Sequence, residues 1–98
     1  MLENLARKIQ EAVSKKEPFG FTVRFDLDDD ESIFVNAKLD PIEVLEVKDP
    51  ADTVFKLSKA NLDAMLDGKL SPMSAYITGK MKIEGDMTKA MQLSSLFG

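Results

Sequence analysis

Along residues 2–16 apolar side chains return every three or four positions: Leu2, Leu5, Ala6, Ile9, Ala12 and Val13, with Glu, Arg, Lys and Gln between them. That spacing predicts an amphipathic helix. Glu17-Pro18 ends it, because the residue before a proline is pushed out of the helical region. From Phe19 the period drops to two. Phe19, Phe21, Val23, Phe25 and Leu27 alternate with Gly20, Thr22, Arg24, Asp26 and Asp28, which predicts a half-buried strand. After the polar turn Asp28-Asp29-Asp30, the residues Ile33, Val35, Ala37 and Leu39 repeat the alternation as a second strand. Asp40-Pro41 and Asp49-Pro50 bracket a third, over 42–48, with a phase slip at Val44-Leu45 that reads as a bulge. Thr53, Phe55 and Leu57 mark a fourth. Three short turns in succession imply antiparallel neighbours.

The second half mixes short helices with one strand. Ser58 is placed to cap a helix that turns Leu62, Met65 and Leu66 inward and stops at Gly68. Ser71-Pro72 is a cap followed by proline at the first helical position. Ile77, Gly79, Met81 and Ile83 alternate with Thr78, Lys80, Lys82 and Glu84 as a fifth strand. Gly85 breaks it, and Asp86 caps a last helix carrying Met87, Ala90, Met91, Leu93, Leu96 and Phe97. The predicted fold is α+β, a five-stranded, mostly antiparallel sheet covered on one face by helices. At 98 residues the chain reads as one domain spanning 1–98.

Composition removes most chemistry. With no histidine and no cysteine, the commonest general base, serine activator, metal ligand and thiolate nucleophile are all missing. No catalytic residue, metal or cofactor is expected. The acidic run Asp26, Asp28, Asp29, Asp30 and Glu31 lacks the spacing, the central glycine and the distal glutamate of a calcium loop. Lys69 and Lys80 have no neighbours that would activate an amine. The net charge of −4 is uneven: residues 1–50 hold 7 Lys/Arg and 12 Asp/Glu, residues 51–98 hold 6 and 5. No basic stripe fits a nucleic acid. No apolar run approaches the roughly 18 residues of a membrane span, and the start lacks a secretory signal, so a cytoplasmic location is expected. Transient contact of the mildly basic second half with an anionic surface stays open.

Methionine is concentrated instead. Five of the six, Met65, Met73, Met81, Met87 and Met91, lie in the last 34 residues. A flexible, polarisable side chain suits a wall that adapts to guests of varied shape, although it also fills gaps in ordinary cores.

Residues 68–93 resemble the sterol carrier protein type 2 family. The resemblance rests on Gly68-Lys69-Leu70-Ser71-Pro72-Met73-Ser74-Ala75, on Gly79-Lys80-Met81-Lys82-Ile83-Glu84-Gly85-Asp86, and on Ala90-Met91-Gln92-Leu93. Ala51 to Met65 is also similar. The resemblance implies a tunnel between sheet and helices, partly closed by the last helix, that holds a fatty acid, acyl-CoA, phospholipid, isoprenoid or sterol. Carried over by position, its wall comprises Met65, Leu66, Met73, Ile77, Met81, Met87, Met91 and Leu96, with Phe21, Phe25, Val35 and Phe55 from the sheet. The chain ends Ser95-Leu96-Phe97-Gly98 without a peroxisomal tripeptide, which with its compactness implies a stand-alone prokaryotic form. The alternative is an accessory or homodimerisation domain whose apolar face binds a partner protein.

Overall fold

The amphipathic first helix, α1 (Leu2–Ser14), buries Leu5, Ile9 and Val13 against a sheet. A computed structural model of the chain describes residues 2–97, except for the side chains of Ser95 and Leu96. The strands are β1 (Thr22–Asp26), β2 (Ser32–Asn36), β3 (Glu43–Leu45), β4 (Thr53–Leu57) and β5 (Met81–Gly85). Three helices follow β4 in the chain: α2 (Lys59–Leu66), α3 (Pro72–Ile77) and, after β5, α4 (Met87–Gln92). A 3-10 segment, Leu93–Phe97, continues α4.

The sheet order is β3-β2-β1-β4-β5. Three pairings are antiparallel, but β4 lies parallel to β1, with Val23 opposite Thr53 and Phe25 opposite Phe55. Successive short turns had implied only antiparallel neighbours. The segment after β3 instead crosses the sheet and delivers β4 to the far side of β1. The Arg24 guanidinium donates to the Asp49 carbonyl at 3.1 Å, which places this crossover on the face away from α1. Phe34 and Val54 belong to that face by register, yet are only 6% and 8% exposed. Both faces of the central strands are therefore covered. Arg24 also forks onto Asp26 at 2.7 and 3.0 Å, and Ser32 donates to the same carboxylate.

Asp52 is a junction. Its carboxylate accepts from the Thr22 N–H and hydroxyl, tying the start of β4 to β1. Its carbonyl accepts from the Asp86 N–H at 3.0 Å, fixing where α4 begins. Gly85, one residue before, has φ +85°, and an added Cβ would stand 2.5 Å from that same carbonyl oxygen.

The cap residues act as their sequence implied. Ser58, Ser71 and Asp86 accept from the N–H of Asn61, Ser74 and Lys89 respectively. The predicted strand over 77–84 is shorter than its alternation suggested. Ile77 ends α3, and Gly79 closes that helix with φ +77°. Lys80 N–H bonds to Ala75 and Gly79 N–H to Tyr76, the paired bonds of a glycine C-cap. Gly79 thus stops a helix rather than clearing space inside a strand. Close approach belongs to Gly85.

Candidate functional site

β5 turns Met81 and Ile83 to the helix-covered face, in register with Leu57 and Phe55 of β4. α3 packs along β5, while α4 lies over β4 and β5. α3 has six residues, is closed off by Gly79, and stands apart from α4. The gap between them is an apolar groove of 270 Å³. Phe55, Met81 and Ile83 form its floor, Ser71, Pro72, Met73 and Tyr76 one wall, and Met87, Ala90, Met91 and Ser94 the other, with Phe97 at its inner end. The groove is open: Met73 and Met91 are each 62% exposed, Tyr76 46% and Met87 42%.

Among the described residues, no carboxylate, ammonium or guanidinium lines the groove. Two of its hydroxyls serve their own backbone: Ser71 accepts from Ser74 N–H, and Ser94 donates to the Met91 carbonyl. The groups with displaced pKa values lie elsewhere. Lys59 is raised by its bonds to Glu31 and Asp29, and Asp52 is lowered by the Thr22 N–H and hydroxyl it accepts. The lining described has the means to bind apolar matter.

The expected wall residues divide. Phe55, Met73, Met81, Met87 and Met91 come together in the groove. Phe25 and Val35 instead border an interior gap of only 10 Å³, shared with Ile9, Val13, Phe19, Val23, Leu93 and Phe97. Beside this gap Phe25 stacks on Phe55 at 5.4 Å, and Phe97 stands edge-on to Phe25 at 6.2 Å. Phe21 is buried away from the groove, against Phe19 with the Lys89 ammonium 5.8 Å from its ring. Met65 sits in the main core with Leu66 packed beside it. Ile77 points to solvent, because α3 turns Ala75 inward. The Leu96 side chain lies outside what the structure describes.

Sequence reasoning missed Tyr76, Ile83, Ala90 and Phe97. Simple spacing pointed to three of them: Tyr76 is three residues from Met73 and Ala90 three from Met87, each on one helix face, and Ile83 is two from Met81 on one strand face.

A mixed-charge cleft of 390 Å³ lies at the far end of β1 and β4, lined by Asp26, Asp28, Asp30, Glu31, Lys48 and Lys56 among others. Its acidic turn is occupied internally. Asp28 accepts from Lys59 N–H, and the Lys59 ammonium pairs with Asp29 and Glu31. Among the described residues no group of His, Cys, Asp or Glu is disposed to hold a metal ion, and no helix is long and apolar enough to cross a membrane.

Compared with known families, the chain matches the SCP-2 sterol transfer family over residues 2–98. The chain belongs to that family. It is 44% identical over 46 residues to sterol carrier protein 2 of Rattus norvegicus, covering 47% of this chain and 8% of the rat protein. It is 41% identical over 51 residues to hydroxysteroid dehydrogenase-like protein 2 of Bos taurus, covering 52% of this chain and 12% of the other. The matched stretch is thus about a tenth of the length of these curated relatives. The solution structure of sterol carrier protein domain 2 of Helicoverpa armigera has a TM-score of 0.80 at 25% identity, covering 95% of this chain and 82% of that one. Palmitated SCP2L2 of Aedes aegypti has a TM-score of 0.77 at 18% identity, covering 98% and 93%. SCP-2 membership and the shared fold support lipid binding in general terms.

Proposed function

We propose that this SCP-2 chain is a non-catalytic carrier that holds one flexible lipid-like molecule in the groove between α3 and α4. The observation that carries the reading is an open groove of 270 Å³ with no charged group among its described lining residues, floored by Phe55, Met81 and Ile83 and walled by Met73, Met87 and Met91. Palmitate on a structural neighbour supports an acyl chain as the occupant. The groove falls just short of the roughly 300–1,000 Å³ usual for small-molecule pockets. Longer guests need more room. Phe97 borders both the groove and the 10 Å³ gap behind it, so its displacement would join the two into a tunnel. A bending acyl or isoprenoid chain suits that geometry better than a rigid sterol.

Each buried methylene is worth about 0.8 kcal/mol, so about a dozen contribute roughly 10 kcal/mol before association and ordering costs. Selectivity stays broad, since an apolar pocket separates homologues by only about 1–3 kcal/mol per group. The test is organic extraction of purified protein with mass spectrometry, together with cis-parinaric acid titration and its displacement by palmitate. A protein that yields no lipid and leaves the probe dark refutes the reading.

A second reading, presentation of a lipid to a separate enzyme, has its own support. The related stretch is a small part of hydroxysteroid dehydrogenase-like protein 2. The same fold also forms part of the sec-alkylsulfatase Pisa1 of Pseudomonas sp., where this chain covers 14% of the enzyme at a TM-score of 0.64. Co-purification of a lipid-modifying enzyme from the host would favour it.

A further inference from the structure

Three exposed sulfur atoms meet in the groove. Met73 stands on the α3 wall, and Met87 and Met91 stand one turn apart on the α4 wall. All three are open to solvent. Met81 lies on the floor at 2% exposure, and Met65 is closed off in the core at 0%. The fold therefore sorts these five methionines into two classes, three within reach of a dissolved reagent and two beyond it.

The chain offers such a reagent little else that is soft. It has no cysteine, no histidine and no tryptophan. A thioether is polarisable and attacks a peroxide without first losing a proton, and its susceptibility follows exposure. No thiol is present to take the oxidant first.

We propose that Met73, Met87 and Met91 form a reversible modification site for hydroperoxides, and that their oxidation to sulfoxides switches off uptake of the apolar guest. The sulfur lone pair attacks the outer peroxide oxygen, and the S–O bond forms as the O–O bond breaks. The proton on the transferred oxygen passes to the departing one, leaving water from hydrogen peroxide or an alcohol from an organic hydroperoxide. Sulfur gives up two electrons and the peroxide gains them. A sulfoxide reductase with a dithiol reverses the change, giving the thioether, a disulfide and water. The sulfoxide oxygen is a strong acceptor, and among the described residues the lining holds no cation to receive it. Pressed against an acyl chain it is desolvated without a partner, which lowers affinity about tenfold for each sulfoxide facing the guest. A bound guest covers the same three sulfurs, so a loaded chain is shielded and an empty one is modified. The loss of uptake rests on the proposed carrier function; the sorting of the sulfurs by exposure does not.

The experiment treats the full chain with hydrogen peroxide and removes the excess with catalase. Peptide mass spectrometry then counts sulfoxide at each methionine. Affinity for cis-parinaric acid is measured before treatment, after it, and after repair by sulfoxide reductases of both stereochemical classes with dithiothreitol. Met73, Met87 and Met91 should oxidise ahead of Met65 and Met81, and palmitate should slow them. Affinity should fall about tenfold or more and return on repair, while circular dichroism keeps the melting transition of a folded chain. In the variant M73L/M87L/M91L, peroxide should leave affinity where that variant began. Oxidation of Met65 and Met81 at the same rate overturns the site, as does loss of the fold on treatment. A reduced chain that binds the probe and an oxidised one that binds it equally overturn the switch alone. A reduced chain that never takes up the probe refutes the carrier reading and the switch with it.

Discussion

Replacing Gly85 by alanine tests the joint between β5 and α4. Two costs add there. A φ of +85° is unfavourable for any residue with a Cβ, by about 1–2 kcal/mol. The new methyl carbon would also lie 2.5 Å from the Asp52 carbonyl oxygen and 3.3 Å from the Thr53 Cα. Both are backbone atoms held in the β4–β5 ladder, so relief requires the strands to part. Forced overpacking of this kind costs typically about 1–3 kcal/mol. Gly79 is the internal control. Its φ of +77° is similar, but a Cβ there meets nothing within 4 Å. Gly79→Ala should therefore lose only the first cost, about 1–2 kcal/mol, and Gly85→Ala roughly 2–5 kcal/mol in all. Urea unfolding of both variants beside the parent measures this, and in a domain of this size each 1 kcal/mol moves the melting temperature by about 4–8 °C. If the two variants lose stability equally, within about 0.5 kcal/mol, the close approach at Asp52 has no energetic weight and the reasoning fails.

Three further outcomes follow from the geometry. Met91→Asp places a carboxylate on the groove wall at an exposed position, so cis-parinaric acid affinity should fall about tenfold or more while stability changes by about 0.5 kcal/mol; unchanged affinity in a folded variant removes Met91 from the binding surface. Phe97→Ala should cost about 3 kcal/mol and open the groove toward the interior gap, so isothermal titration should show longer acyl chains gaining affinity relative to shorter ones; an unchanged chain-length profile argues against Phe97 as the partition. Burial alone would raise the Asp26 pKa, but the bonds from Arg24 and Ser32 outweigh it and hold the carboxyl below its ordinary range. The unfolded chain therefore takes up this proton first, so its contribution is complete above the ordinary carboxyl value of about 4 and is lost as pH falls through the lower folded value. Asp26→Asn should accordingly lose less between about pH 7 and about pH 3 than the parent in urea unfolding, with Asp28 and Asp52, also depressed, keeping part of the acid sensitivity. Equal losses would show that the Arg24 pair is not what acid disrupts.

Local chemistry was legible in the chain and long-range pairing was not. Ser58, Ser71-Pro72 and Asp86 each announce a helix start, because a cap depends on three or four adjacent residues. The run from Ile77 to Ile83 fits alternation throughout, yet Gly79 divides it, because one left-handed residue ends a helix whatever follows. The parallel pairing of β1 with β4 leaves no mark in either strand, whose inward faces read alike beside any partner. In the groove, the methionine excess led to Met73, Met81, Met87 and Met91. Phe21, Phe25 and Val35 fall outside the groove, because alternation separates the two faces of a strand but does not say which part of a covered face stays unfilled.

The parallel pair also sets the order in which a nascent chain finds shelter. β1 and β2 form a hairpin early, but the other edge of β1 waits for Thr53–Leu57, so for some thirty residues of synthesis it shows bare N–H and C=O groups to any passing strand. Of the two groove walls, α3 emerges before β5, and only α4 emerges onto a completed sheet. Misassembly on the ribosome should therefore begin at that open strand, and a chaperone that shields residues 22–26 until β4 appears would protect the yield of folded chain.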